Sequence, residues 1–186
     1  MQKVEGISSK LSEIISNKEI KKDIKRHLNY MQAHNIEIIS IEDKEYPTLL
    51  KEIYNPPLCL YIKGNKEILN NPSIAIVGCR DATEYGKQVA KKFAYNLSKN
   101  GFCIVSGLAR GIDTLAHIGA NGKTVAVLGN GLDTIFPKEN IELAKEIIKK
   151  GGAIISEYPL GTRSRKRELS CKKQNSKWYL QWSSCC

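Results

Sequence analysis

Short apolar runs alternate with amphipathic helical segments from residue 73 to residue 156. The runs predict buried strands at 74–77, 102–105, 124–128 and 153–156, and the segments between them predict helices at 85–100, 113–120 and 139–150. Strands joined through a helix lie parallel and cross over with a right hand. The order therefore indicates an α/β protein with a Rossmann-like parallel sheet.

Separate segments precede and follow this alternation. Residues 1–35 are polar with apolar side chains at helical spacing, which predicts a short N-terminal helical segment. Residues 36–41 and 58–62 predict short strands that lead into the sheet, whereas 163–186 has neither helical nor strand periodicity. We therefore predict a helical segment at 1–35, a Rossmann-like domain at 36–162 and a disordered basic tail at 163–186.

Basic residues exceed acidic ones, but unevenly along the chain. There are 29 Lys and Arg against 19 Asp and Glu, a net charge of +10, of which 163–186 contributes +6 and 1–162 only +4. A basic excess is typical of proteins that bind nucleic acid or an anionic membrane. Because most of the excess lies in the tail, composition alone supports either partner weakly.

Cysteine and hydropathy patterns exclude several classes of protein. The six cysteines form no CxxC pair and no Cys/His spacing of a zinc site. No secretion signal precedes the body of the chain, and no apolar run has the length of a membrane span. We expect a reduced, cytoplasmic protein with no metal site and no membrane association.

The segment IVSGLARGIDTLAH at 104–117 carries the strongest chemical signal. Its strand ends in Ser106 and Gly107, its turn passes through Arg110 and Gly111, and a helix follows. Glycine lets backbone N–H groups approach a ligand, and the first N–H groups of a helix lack internal partners, so such a turn can bind an anion. Arg110 adds a bidentate cation for phosphate. The alternative is that both glycines merely make a tight turn.

Loops after the other strands are the remaining candidates, because ligands of open parallel sheets bind at the carboxyl ends of the strands. Arg80 follows the first strand closely and is either a phosphate ligand or a solvated side chain. Gly129 opens the loop after the third strand, and Lys138 lies where the next helix begins. Asp113 and Asp133 are expected to be caps or turn acceptors and not general bases.

Missing motifs separate the functional classes. The first strand is not followed by GxGxxG, no GxxxxGK[ST] occurs, and neither paired carboxylates nor a Ser/His/Asp order is present. His27, His34 and His117 are isolated and are expected to be structural or exposed. The sequence therefore favours an anion-binding module without catalytic residues or a cofactor.

Five motifs, in order, resemble the DprA/Smf family of DNA-processing proteins. They are YPTLLKEIYNPPLCLYIKGN at 46–65, IAIVGCRDATEYG at 74–86, IVSGLARGIDTLAH at 104–117, VAVLGNGLDTIFPKEN at 125–140 and IISEYPLGT at 154–162. The resemblance covers about 36–162, and the combination of motifs is highly specific.

The resemblance implies an extended Rossmann fold and a DNA-binding mediator without catalysis. Members of the family bind single-stranded DNA, dimerise and load the RecA recombinase during natural transformation of competent cells. The residues that the resemblance places around a phosphate-binding pocket are Arg80, Ser106, Gly107, Arg110, Gly111 and Lys138, and we add Gly129 from its loop position. The enzymatic alternative is a phosphoribohydrolase of the LOG type, although the PGGxGTxxE loop of that family is absent here. The other alternative is a nucleotide-sensing domain that does not bind DNA.

Three departures from the family pattern limit this expectation. Cys79 replaces a small hydroxyl residue, the crossover between His117 and Gly122 is short, and the segment after Arg163 lacks the family's asparagine- and arginine-rich continuation. Back-translation of 164–186 in a shifted frame permits the peptide PEKENFPARNRIVNGISNGVVV, which resembles that continuation. We therefore hypothesise a frameshift near Arg163 and expect an incomplete sheet, an underpacked strand at 153–156 and impaired function.

Overall fold

The computed structural model describes residues 18–163, which fall into two compact units divided between Asn35 and Ile36. Helix α1 (Lys18–Ala33) is the described part of the first unit. His27 and His34 are exposed on this unit, and their Nδ1 atoms lie 3.0 Å and 2.8 Å from main-chain carbonyl oxygens four residues earlier. Both histidines are therefore surface residues, as expected.

A six-stranded sheet forms the second unit. Its strands are β1 (Ile36–Ser40), β2 (Cys59–Gly64), β3 (Ser73–Ala75), β4 (Cys103–Ser106), β5 (Thr124–Leu128) and β6 (Ala153–Ser156). They are ordered β1–β2–β6–β5–β4–β3. The four strands from β3 to β6 are parallel, whereas β1 and β2 are antiparallel to each other and β2 is antiparallel to β6. This arrangement confirms the Rossmann-like α/β prediction and adds an antiparallel edge.

Helices connect the strands. They are α2 (Thr48–Lys51), α3 (Glu84–Lys99), α4 (Ile112–Ala120) and α5 (Ile141–Lys149), with short 3₁₀ turns at Lys66–Asn70 and Lys138–Asn140. Alternate β4 side chains enter two different clusters: Ile104 packs with alanines of α3 and α4, whereas Cys103 and Val105 pack with β1, β2 and the first 3₁₀ turn. The sheet is therefore covered on both faces, which leaves its strand ends as the place for a ligand.

Strand β6 corrects one expectation. We expected the strand at 153–156 to lack part of its packing, but all four of its residues are buried because β6 lies between β2 and β5. Underpacking occurs instead beside β3, which pairs only with β4 within the described residues. There Val77, from the strand predicted to be buried at 74–77, is 48% exposed, and Phe93 of α3 is 61% exposed.

His117 is a buried histidine whose tautomer follows from its neighbours. The Thr124 hydroxyl donates to the Ile104 carbonyl at 2.6 Å, so at 2.7 Å it can only accept from Nδ1–H of His117. Nε2 is then the unprotonated nitrogen, and it has no hydrogen-bond partner within the described residues. Burial lowers the pKa of His117 to about 3. The ring is therefore a neutral structural group.

We expect His117→Phe to flatten the acid side of the stability profile. Between pH 6.5 and 3 the unfolded chain binds a proton at His117 that the folded chain does not, so the free energy of unfolding falls as the pH falls, by at most about 1.4 kcal/mol per pH unit. Chemical denaturation at several pH values measures this slope. His27→Phe, at an exposed position, should keep the wild-type slope; equal slopes in all three proteins would contradict the assignment.

Candidate functional site

A cleft of about 260 Å³ opens at the carboxyl ends of β3 and β4. We call it the arginine cleft, and it is lined by Arg80, Asp81, Gly107, Ala109, Arg110, Phe136 and Pro137. These residues come from the loop after β3, the loop after β4 and the segment before the second 3₁₀ turn. The topology thus brings three loops to one edge of the sheet, which is where parallel sheets bind ligands.

Two arginines give the cleft its positive charge. Arg80 is exposed and makes no ion pair within residues 18–163. Arg110 is also exposed, but its Nη2 atom contacts Oε1 of Glu139. The pKa of Glu139 is lowered, first by its own backbone N–H and then by Arg110. The guanidinium of Arg80 is therefore available to a ligand, whereas that of Arg110 is paired with the exposed carboxylate of Glu139.

The loop after β4 is held from below by a buried carboxylate. Asp113 Oδ2 accepts hydrogen bonds from the main-chain N–H groups of Gly107 at 3.2 Å and Ala109 at 3.4 Å. Its Oδ1 accepts from the N–H of Gly78 at 3.4 Å, in the loop after β3. Asp113 therefore ties the two loops together and occupies the backbone donors that the sequence predicted for an anion.

Asn140 holds the carbonyl side of the same loop. Its buried Nδ2 donates to the Leu108 carbonyl at 2.9 Å and to the Thr114 hydroxyl at 3.0 Å, and that hydroxyl donates to the Ala109 carbonyl at 2.7 Å. Leu108 itself is buried with φ +56°, a conformation that bulky residues rarely adopt. The contacts from Asp113 and Asn140 stabilise this backbone, so the loop presents Arg110 from a fixed base.

Gly111 has a structural role at the junction of the two loops. Its φ of +80° and ψ of −124° suit glycine alone. A Cβ at this position would meet the main-chain carbonyl oxygens of Cys79 and Arg80. Ile112 donates its N–H to the Cys79 carbonyl at 3.2 Å. The glycine therefore allows close loop packing, which was the alternative interpretation of this turn.

The structure separates the predicted site residues into two groups. Arg80, Gly107 and Arg110 line the arginine cleft, whereas Gly129 and Lys138 lie outside its lining. Lys138 is exposed at the start of the second 3₁₀ turn, and Gly129 is half-buried.

Ser106, which the resemblance placed around a phosphate-binding pocket, does not line the arginine cleft. Its side chain is fully buried, and its hydroxyl donates to the Ile76 carbonyl at 2.7 Å. The hydroxyl therefore links β4 to the chain just after β3 and cannot contact a ligand in the cleft.

Sequence reasoning missed three contributors to the site. Asp81 and Phe136 line the cleft, and Asn140 supports it. The signal for Phe136 was an aromatic side chain among loop residues next to proline, and it is 57% exposed. The two aspartates behave as expected: Asp113 accepts from the turn, and Asp133 accepts from the Gly161 N–H at 2.9 Å.

Residues 18–163 contain no group of three or more His, Cys, Asp or Glu side chains that could hold a metal ion. Within that range, no helix combines the length and apolarity needed to cross a membrane. Cys59, Cys79 and Cys103 are free thiols.

The sequence matches a family model described as DNA recombination-mediator protein A over residues 37–173. The match extends past Thr162, where the resemblance was expected to end. Protein Smf of Synechocystis sp. is 39% identical over 178 residues, covering 92% of this chain and 44% of the relative. DNA processing protein DprA of Bacillus subtilis is 40% identical over 145 residues, covering 76% and 48%. The chain thus spans about half the length of these curated relatives.

Solved structures that resemble this chain are also DNA processing proteins. DNA processing protein A from Helicobacter pylori, a structure concerned with its single-stranded DNA binding mode, matches with a TM-score of 0.69 and 32% identity over 79% of this chain and 66% of that one. DprA from Streptococcus pneumoniae matches with a TM-score of 0.68 and 36% identity over 78% and 53%. Sequence and backbone therefore agree on one kind of relative.

Proposed function

Because this chain belongs to the DNA recombination-mediator protein A family, we propose that its arginine cleft binds single-stranded DNA. The observation that supports this is one cleft lined by two exposed arginines and the exposed ring of Phe136. A guanidinium group can donate two parallel hydrogen bonds to the oxygens of one phosphate, and an exposed aromatic ring can stack on any unpaired base. Cations and an aromatic ring in one groove are typical of single-stranded nucleic-acid sites.

We propose binding without catalysis. Asp113, the buried carboxylate beneath the cleft, accepts hydrogen bonds from three backbone N–H groups, so both of its oxygens are used to hold the two loops together. The lining carboxylate Asp81 has no histidine, serine or cysteine beside it among the lining residues. No observation favours the phosphoribohydrolase or nucleotide-sensing alternatives.

The wider role follows from the same proposal. We propose that the DNA-bound protein acts in the cytoplasm during natural transformation, protects the incoming strand and loads RecA onto it as a homodimer. RecA assembly on a protein-coated strand, followed with and without this protein, tests that role. Faster assembly supports the proposal, and unchanged assembly despite tight DNA binding would restrict the function to DNA binding.

The proposed binding is tested by titrating a labelled thymidine oligonucleotide with the full chain at several salt concentrations. We expect affinity to fall steeply as salt rises, because phosphate contacts release counterions, with about 0.7 of log–log slope per phosphate contact. Polyglutamate of similar length is the control polyanion and should compete poorly. Absence of binding at low salt, or equal competition by polyglutamate, would contradict the proposal.

We expect Glu139→Gln to increase oligonucleotide affinity by up to about fivefold, since it removes the exposed and therefore weak ion pair that holds Arg110. Equilibrium titration at fixed salt measures the change. Glu142→Gln is the matched control, because Glu142 is exposed on α5 and pairs with Lys145 at 2.7 Å. Both variants gain one unit of positive charge. An equal increase in both would show a general charge effect and not release of Arg110.

A further inference from the structure

We propose that Asp113 is a specificity-determining residue that excludes compact phosphate groups, such as those of a nucleoside diphosphate, from the site that binds a DNA strand. The inference rests on the proposed function and names the class of anion that the cleft accepts. It follows from the backbone hydrogen-bond donors that Asp113 occupies and that a ligand therefore cannot use.

Backbone N–H groups at the ends of parallel strands are the usual donors to a bound phosphate, because several of them converge on one point. In this chain three such groups converge, from Gly78 after β3 and from Gly107 and Ala109 after β4. They converge on the carboxylate of Asp113. The protein's own anion therefore occupies the position that a phosphate would take.

An external phosphate is not expected to displace this carboxylate. Asp113 lies in the first turn of α4, is 6% exposed, and is fixed within the same chain as the three donors. An intramolecular partner has a high effective concentration, and its negative charge repels a second anion in a poorly solvated place. Binding a compact phosphate here would also leave a buried carboxylate without its hydrogen bonds, which is costly.

The cationic donors in the cleft lining are the exposed guanidinium groups of Arg80 and Arg110. Side chains at the mouth of the cleft can follow a flexible chain of single-charged phosphodiesters, which gains from contacting both arginines and Phe136 together. A nucleoside diphosphate needs convergent donors around one compact group, and the three backbone groups that converge here already hold Asp113. The cleft therefore selects strands over mononucleotides.

Asp113→Asn tests this selection. The amide oxygen of the asparagine still accepts a hydrogen bond, but the carboxylate charge is gone and the amide NH₂ group faces backbone N–H donors, so an anion competes more easily for these backbone groups. Thymidine diphosphate binding, measured by calorimetry, should be undetectable for the wild type and gained by the variant. The ratio of oligonucleotide to diphosphate affinity should fall at least about tenfold, which corresponds to one recovered charge-assisted hydrogen bond.

Asp133→Asn is the matched control, since Asp133 also accepts a loop N–H, that of Gly161. Gly161 does not line the cleft, whereas two of the Asp113 donors, Gly107 and Ala109, do. Asp133→Asn should keep the wild-type ratio. A folded Asp113→Asn protein with that same ratio would overturn the proposal. If the variant does not fold, competition on the wild-type chain decides: the proposal requires that thymidine diphosphate fails to displace the oligonucleotide, and effective displacement overturns it.

The outcomes distinguish this inference from the function on which it rests. A wild-type chain that binds neither ligand, with a variant that gains the diphosphate, refutes the DNA proposal and supports the role of Asp113. A wild-type chain that binds both ligands equally well supports DNA binding and refutes the role of Asp113.

Discussion

Arg80→Ala should weaken oligonucleotide binding by about tenfold or more, the loss expected for a charge-assisted hydrogen bond to phosphate. Arg80 lines the cleft and makes no ion pair within residues 18–163, so its guanidinium can be used fully by a ligand. The salt dependence should also become shallower, by about 0.7 of log–log slope if one phosphate contact is lost. Titrations of wild type and variant over the same salt series measure both quantities.

Lys149→Ala is the control for this loss of one positive charge. Lys149 is exposed at the end of α5 and lies outside the cleft lining. Its replacement should change affinity by less than about twofold, as expected for a distant, screened charge. Arg80→Ala combined with Arg110→Ala should approach a hundredfold loss if the two contacts are independent, since about tenfold is expected from each. Equal effects of Arg80→Ala and Lys149→Ala would refute the assignment of the cleft.

Gly111→Ala should lower stability by more than about 3 kcal/mol, because it combines a backbone penalty with steric overlap. The new Cβ would meet the carbonyl oxygens of Cys79 and Arg80, which belong to the main chain and cannot rotate away. For a chain of this size the melting temperature should fall by at least about 10 °C. Thermal unfolding followed by circular dichroism measures the change.

Gly101→Ala separates the two contributions. Gly101 also has a positive φ, +93°, but a Cβ there would have no atom within 4 Å. Only the backbone penalty of about 1–2 kcal/mol remains, so the melting temperature should fall by about 5 °C. If both variants lose the same stability, close packing of the two loops at Gly111 contributes nothing.

Sequence patterns predicted the buried strands more accurately than the edge. The limits of β5 and β6 agree with the predicted 124–128 and 153–156, because both strands have neighbours on each side and apolar side chains on both faces. The strand predicted at 74–77 ends at Ala75, where the sheet has no further described neighbour. Phe93 of α3 lies at helical spacing from the buried Ala90 and Ala94 but is 61% exposed, so the buried stripe of this helix is narrower than its apolar stripe.

Predictions at the site failed where contacts join distant residues. Motifs located both arginines of the cleft, because a glycine and an arginine after a strand are local features. The Asp113 contact with Gly78 crosses 35 positions, and no local pattern indicates that this carboxylate would occupy the donors of two loops. The sequence around Asp113 could identify it as a hydrogen-bond acceptor of the turn. It could not show that the carboxylate would occupy the backbone donors predicted to bind an anion.

The position of β6 has a consequence for how the protein is made. Although β6 is the last described strand, it lies between β2 and β5. Gly64 of β2 therefore pairs with Ala153, a residue far away along the sequence. A ribosome therefore releases β2 long before its partner β6 exists, and the nascent chain carries the open edges of β2 and β5 until residues 153–156 emerge. Translation of these few residues joins the antiparallel and parallel parts of the described sheet.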